Sequence, residues 1–348
     1  MRWETHKKVL PDNNTSKWNK LEKIAAEYKL KPVAPVLNFT GDLVGGRTWT
    51  PYEWLDEFIK QYRQKYKRLP KMDCLALHCY MNWYGASTWF TLDYFYRDLY
   101  DANNESYGKY PNIVALMDDY KASHGHFPRM MLTEFCSWEG DKEGFVTTRE
   151  SQIDQMTQKI QKMEQSDLVE GYAWFMANGN ASRFPFFSIF ETNWPDSELS
   201  DLGKVYVHMS SFDKEQFYAP GNCIQAKDYV DATTDNTQVK LRPNTEENSN
   251  LPLQVEFQAG SSAVYQVTVP QGGTCKFVLH LLSAAETALA LSVDGEKAVA
   301  CKVASTASQW QDMGVEAALT EGRHTIRMSN DGTASFIMNS WSFGVAGQ

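Results

Sequence analysis

The residue best placed for acid or nucleophilic chemistry is Glu134, in the stretch MMLTEFCSW at 130–138. Arg129 to Thr133 has the composition of a short buried strand entered through Pro128. Glu134 falls where that strand runs out, and Phe135 and Trp138 follow it. A carboxylate held at a strand end among aromatic rings suits the cleavage of sugar linkages, because rings cover the apolar face of a pyranose while the acid meets the bond to be broken. The competing use of such a residue is a solvated or ion-paired surface Glu.

Other strand-like runs place polar groups in the same way. A helical stripe (Trp18, Leu21, Ile24, Ala25, Tyr28) precedes KPVAPVLNF, which ends near Asn38. Thr50-Pro51-Tyr52-Glu53 opens a second helix as a capping box with Pro in the first turn. MDCLALHCY then ends in His78 and Tyr80, and a ring-crowded segment containing Trp83 follows. Ile113 to Tyr120 is helical in pattern. Thr147 to Glu150 forms the expected cap of a helix with Ile153, Met156, Ile160 and Met163 on one face. Leu168 to Phe175 is a strand that closes with Trp174, and a last helix is expected near Leu202 to Ser210.

Strands alternating with helices predict a parallel α/β layer. Polar or ring residues at all four strand ends (Asn38, His78, Glu134, Trp174) favour a TIM-type (β/α) barrel over a doubly wound sheet, which periodicity alone does not separate. An eightfold barrel takes about 250 residues. Only four strands are evident before residue 214, so the barrel is expected to be incomplete at its N-terminus.

Past Pro220 the pattern changes to short alternating strands: LPLQVEFQ, SAVYQVTVP, CKFVLHLL, TALALSVDG, KAVACKVA, GRHTIRMSN and SFIMNSWSF. These predict an all-β jelly-roll sandwich over 221–348, behind an α/β domain over 1–213.

The chain has 348 residues with Lys+Arg 34 against Asp+Glu 43, a net charge of -9. Without a basic stripe, no nucleic-acid partner is expected. No apolar run is long enough to span a membrane, and the start MRWETHKK has no signal-peptide core. Six Cys show no CxxC or Cys/His ligand spacing, so neither metal nor cofactor is expected. Nine of the eleven Trp lie before residue 200, consistent with stacking platforms or simply a large aromatic core in the first domain.

The motifs KWNKLEKIAAEYKLKPVAPVLNF, WLDEFIKQY, MDCLALHCY, MMLTEFCSW and EGYAWFMA resemble, in order and spacing, the second half of glycoside hydrolase family 128. That resemblance covers about 16–212 and implies a clan A type barrel and a retaining endo-β-1,3-glucanase. Glu134 matches the nucleophile. His78 and Tyr80 match site residues on the preceding strand, Trp174 the ring flooring the subsite, and Asn38 a polar residue at the rim. The implied mechanism needs a second carboxyl group about 5 Å away. The family carries it in an Asn-Glu-Pro motif that this chain lacks, leaving Glu4 as the nearest candidate, provided the following loop is several residues shorter.

IQAKDYVD, YQVTVP, LSVDG, EGRHTIRM and MNSWSF resemble a carbohydrate-binding module of family 6. Trp310 and Asn339 match its sugar-stacking and hydrogen-bonding positions, whereas Gln225 and Lys227 replace the acidic pair linked to structural calcium. The resemblances together imply a β-glucan as partner, a monomer, and a secreted, cell-surface or periplasmic address. The rival expectation is a non-catalytic glycan-binding protein, or a truncated hydrolase lacking its acid/base.

Overall fold

The computed structural model describes residues 10–35, 37–38, 42–80, 96–137, 147–179, 186–191, 197–234 and 237–345. The chain packs as two compact units. One comprises Met1–Gly140 with Ser166–Phe175, and the other Asp141–Gln165 with Met176–Gln348.

The first unit is built on a four-stranded parallel sheet in the order β1 (Leu37–Asn38), β4 (Cys74–Cys79), β5 (Arg129–Phe135), β6 (Val169–Trp174). The order is open, and no ring of strands closes among the described residues. In the run KPVAPVLNF, Val33 bridges Cys74, Pro35 has no N–H to donate, and Leu37 pairs with Leu77 and Asn38 with His78. A small hairpin, β2 (Asp42–Val44) with β3 (Arg47–Trp49), follows β1.

Helices α1 (Pro11–Glu27), α2 (Pro51–Tyr66) and α3 (Pro111–His124) belong to the same unit. α1 starts earlier than its apolar stripe, because Pro11 is already set for a first helical turn. The Thr50–Glu53 capping box forms as expected, a device worth about 1 kcal/mol. α2 buries Trp54, Phe58, Ile59 and Tyr62 completely, with Trp54 stacked on Phe58 at 5.5 Å and Trp18 of α1 edge-on to Phe58 at 6.0 Å.

In the second unit, α4 (Arg149–Glu164) begins one residue later than predicted. Thr148, not Thr147, is the cap, and Ser151 rather than Glu150 completes the reciprocal pair. Either of two adjacent Thr can cap, and a Ser hydroxyl can reach back as a carboxylate does. α5 (Asp201–His208) is capped by Ser200, and Gly203 is required there: a Cβ would stand 2.1 Å from the Ile189 carbonyl oxygen.

The sandwich strands are β7 (Ile224–Gln225), β8 (Asp231–Ala232), β9 (Lys240–Pro243), β10 (Leu253–Phe257), β11 (Ser262–Val269), β12 (Gly273–Leu282), β13 (Thr287–Val293), β14 (Val299–Val303), β15 (Gln311–Leu319), β16 (Gly322–Asn330) and β17 (Phe336–Val345). They form two antiparallel sheets, β15-β12-β17-β10-β9 with β7 on β17, and β14-β13-β16-β11-β8. All seven predicted segments are strands. β15, whose alternation is diluted by Gly314 and two Ala, joins them. Between the sheets lie Phe257 stacked on Phe336, and Tyr265 edge-on to Trp341 with its hydroxyl donated to the Ala226 carbonyl. Asp154 of α4 pairs with Arg242 at 2.7 Å, and Gln161 donates to Asp231 and to the Ala232 carbonyl, so this helix is fastened to the sandwich strands.

Candidate active site

Strand register places Glu134. Leu77 pairs with Leu132 and His78 with Glu134, so one step along β4 spans two along β5. On the other side, Leu132 to Phe135 faces only Tyr172 to Trp174. Thr133 is therefore an extra residue against both neighbours, a β-bulge. Without it, period-two alternation would put Glu134 on the side of Met130 and Leu132, which are fully buried. With it, Phe135 takes that buried side and Glu134 turns to the side of Met131 and His78. The Thr133 hydroxyl is left buried with no hydrogen-bond partner among the described residues.

The carboxylate is partly exposed, at 24%, and its neighbours come from β4 and the residue just beyond it. The Tyr80 hydroxyl donates a hydrogen bond to Glu134 Oε2. His78 Nδ1 lies 3.3 Å from the Tyr80 hydroxyl and 3.6 Å from Glu134 Oε2. The second distance is too long for a hydrogen bond, so Tyr80 is the residue that fixes the carboxylate. Both contacts fall on Oε2, and Oε1 accepts no hydrogen bond among the described residues. Among the described residues one oxygen is thus anchored and the other has no protein donor, the arrangement that nucleophilic attack by a carboxylate requires.

The ring turned toward this pair is Phe175, edge-on to Tyr80 with centroids 5.6 Å apart. Trp174, the ring expected there, pairs in register with Phe135, meets it edge-on at 5.2 Å and is 6% exposed. It thus lies on the face opposite Glu134. The alternation of β6 against a bulged partner therefore turns Phe175, and not the expected Trp174, toward Tyr80. Asn38 is in register with His78, which brings Asn38, His78 and Glu134 side by side along the sheet. Glu4, Trp83 and Trp138 lie outside the described residues.

In the sandwich, Trp310 stacks on His280 with centroids 5.4 Å apart and planes 8° from parallel. His280 bridges Asp312 through Nδ1 at 2.6 Å and Glu246 through Nε2 at 2.9 Å. Burial works against a charged ring here, but the two carboxylates outweigh it and hold the imidazolium above the ordinary histidine range. Asn339, expected to meet sugar, is fully buried: its amide donates to Glu246 Oε2 and its carbonyl accepts from the Ser340 hydroxyl. It sits where β17 slips register against β12, between the pairs His280–Ser340 and Leu281–Met338. Of the calcium-linked positions, Lys227 forms an ion pair with its neighbour Asp228.

A model of the family described as "Glycosyl hydrolase catalytic core" matches residues 3–206. The chain belongs to that family. Glu134, His78, Tyr80 and Phe175 all fall inside the matched hydrolase core. No curated protein matches the chain. Among solved structures, it is similar to a carbohydrate-binding module from Cellvibrio mixtus lichenase 5A in complex with cellotriose, at 16% identity over 35% of this chain and 95% of that one, TM-score 0.31. It is also similar to a family 6 module from Clostridium stercorarium in complex with cellobiose (15% identity, 38% and 99% covered, TM-score 0.32). A family 35 module from Clostridium thermocellum matches at 19% identity over 36% and 98%, TM-score 0.30.

Proposed function

We propose that this hydrolase core cleaves β-1,3-glucan internally with retention of configuration, on a (β/α) barrel of which the four parallel strands are part. The bulge at Thr133 carries the proposal, because it brings one carboxylate out of the buried face and onto the Tyr80 hydroxyl. In the first step Glu134 Oε1 bonds to the anomeric carbon as the bond to the leaving oxygen breaks, and a second carboxyl group gives that oxygen its proton. In the second step water, deprotonated by the same group, replaces Glu134. Glu4 is our candidate for this acid/base. Tyr80 holds Oε2 throughout, so the attacking oxygen needs no reorientation. The Tyr80 oxygen accepts from His78 Nδ1–H across 3.3 Å when that nitrogen carries the proton.

The sandwich joins the proposal as a glycan-binding module with Trp310 as its contact ring, while Asn339 fixes Glu246 rather than sugar. We propose further that the protein acts as a monomer at a secreted, cell-surface or periplasmic address. The test is release of reducing ends from a β-1,3-glucan by wild type and by Glu134→Gln, with the anomer of the first product followed by NMR. Equal rates end the proposal. Cleavage of mixed-linkage glucan or xylan in place of β-1,3-glucan would keep the site and change the substrate.

A further inference from the structure

Trp310 lies just ahead of Gln311, the first residue of β15, and so outside the sheet ladder. The turn that leads to it holds two left-handed residues, Ala307 (φ 49°) and Ser308 (φ 60°), and the Gln309 N–H is bonded to the Thr306 carbonyl. Side chains disfavour that backbone region, so the turn is held against a local cost. Strand pairing does not set the angle of the indole.

His280 on the neighbouring strand supports it instead. Asp312 pairs in register with His280, and continued alternation puts Trp310 on the same side of β15 as Asp312. The imidazole and the indole are 8° from parallel with centroids 5.4 Å apart, so His280 covers one face of the ring. The indole is partly exposed, and no other ring, ion pair or hydrogen bond engages it among the described residues. His280 is itself held from two sides. Nδ1 meets Asp312 of β15 at 2.6 Å, and Nε2 meets Glu246, on the loop after β9, at 2.9 Å. β17 contributes the uncharged Ser340 as register partner. A ring bonded to acceptors through both nitrogens donates from both, and it cannot rotate without breaking a bond. The buried Asn339 in turn donates to Glu246, so the support runs from the sandwich interior to the ring that backs Trp310.

We infer that His280 is a positioning residue for glycan capture: pinned at both nitrogens, it holds the Trp310 indole at one angle, so that sugar binding need not order the ring. The inference rests on the proposed reading of Trp310 as the contact ring of the sandwich. Only the protonated imidazole donates from both nitrogens, so retention on glycan should follow its charge. Burial lowers the pKa of the ring, but Asp312 and Glu246 raise it further, which puts the loss above the ordinary histidine range. The test is retention of the full chain on insoluble β-1,3-glucan, in a Glu134→Gln background that spares the ligand, with and without Trp310→Ala. The part of the retention that Trp310→Ala removes belongs to the sandwich and excludes binding by the first unit. His280→Ala should lower that part about fivefold, and should change nothing in the Trp310→Ala chain. In the chain that keeps His280, the same part should fall between about pH 6 and about pH 9, a readout that does not depend on the folding of His280→Ala. Equal losses from His280→Ala with and without Trp310, or a flat pH profile, overturn the positioning role. Equal retention with and without Trp310→Ala overturns instead the reading of Trp310 as contact ring, and the inference falls with it.

Discussion

Glu134 and Glu246 are carboxylates of nearly equal exposure, 24% and 23%, each beside a histidine; Glu134 sits at a register slip of its own strand, and Glu246, on the loop after β9, is bonded by Asn339, which sits at another. They differ in how many oxygens the protein has taken. Glu246 gives Oε1 to His280 and Oε2 to Asn339, whereas both contacts of Glu134 converge on Oε2. A fully bonded carboxylate is a structural joint, because making it react means breaking what holds it. A half-bonded one is oriented and still has a lone pair to use. Exposure does not separate these two carboxylates, and hydrogen-bond saturation among the described residues does.

The sharpest way to break that comparison is to neutralise each acid in turn. Glu134→Gln keeps the shape and removes the nucleophile, so hydrolysis of β-1,3-glucan should fall by about 10⁴-fold or more. Glu246→Gln should leave hydrolysis unchanged and lower the melting temperature, because His280 loses an anionic acceptor. Comparable losses of hydrolysis in the two variants, measured as reducing ends, would show that bond saturation is the wrong criterion.

Deleting Thr133 attacks the bulge itself. Restored alternation would turn Glu134 to the buried side occupied by Phe135, and activity should drop nearly as far as in Glu134→Gln. A thermal melt run alongside separates misplacement from unfolding. Thr133→Val is the counterpart: it keeps the chain length and removes the unpartnered hydroxyl, and should stabilise by about 1 kcal/mol with activity retained. Activity surviving the deletion would refute the bulge as the device that aims the carboxylate.

What the sequence could and could not show divides along the same line. The four parallel strands, the Thr50–Glu53 cap and seven sandwich strands were legible, since each is fixed by local periodicity or by side chains within one turn. Glu134 was legible as a residue at a strand end. Its facing was not, because a bulge is set by the pairing of strands far apart in sequence. The same cause hid the contact between Tyr80 and Glu134, turned Phe175 rather than Trp174 toward Tyr80, and put Asn339 inside the sandwich.

Removing the donors gives a middle-sized effect. Tyr80→Phe deletes the hydroxyl that anchors Oε2 and keeps the ring against Phe175. A hydrogen bond to a charged group is worth about 1.5–3 kcal/mol, so kcat should fall roughly ten- to a hundredfold with little change in KM. In the sandwich, Asn339→Leu removes the corresponding donor to Glu246 and should cost stability without touching kcat. A Tyr80→Phe loss that appears in KM alone would make Tyr80 a substrate contact instead of the carboxylate's anchor.

The smallest effect concerns charge on His280. Its folded-state pKa is raised, since Asp312 and Glu246 outweigh burial, so the folded protein holds this proton more tightly than the unfolded chain does. The stabilisation is complete below the unfolded histidine value of about 6.5 and is lost as pH rises through the folded value. Because solvent reaches the ring, it amounts to about 1 kcal/mol or less. The melting-temperature gap between wild type and His280→Asn should therefore be widest near about pH 5 and shrink toward about pH 9. A gap that stays flat over that range would mean the stack on Trp310, and not the two carboxylates, holds the ring. Glu246 would then be less saturated than its contacts imply, and the contrast with Glu134 would rest on geometry alone.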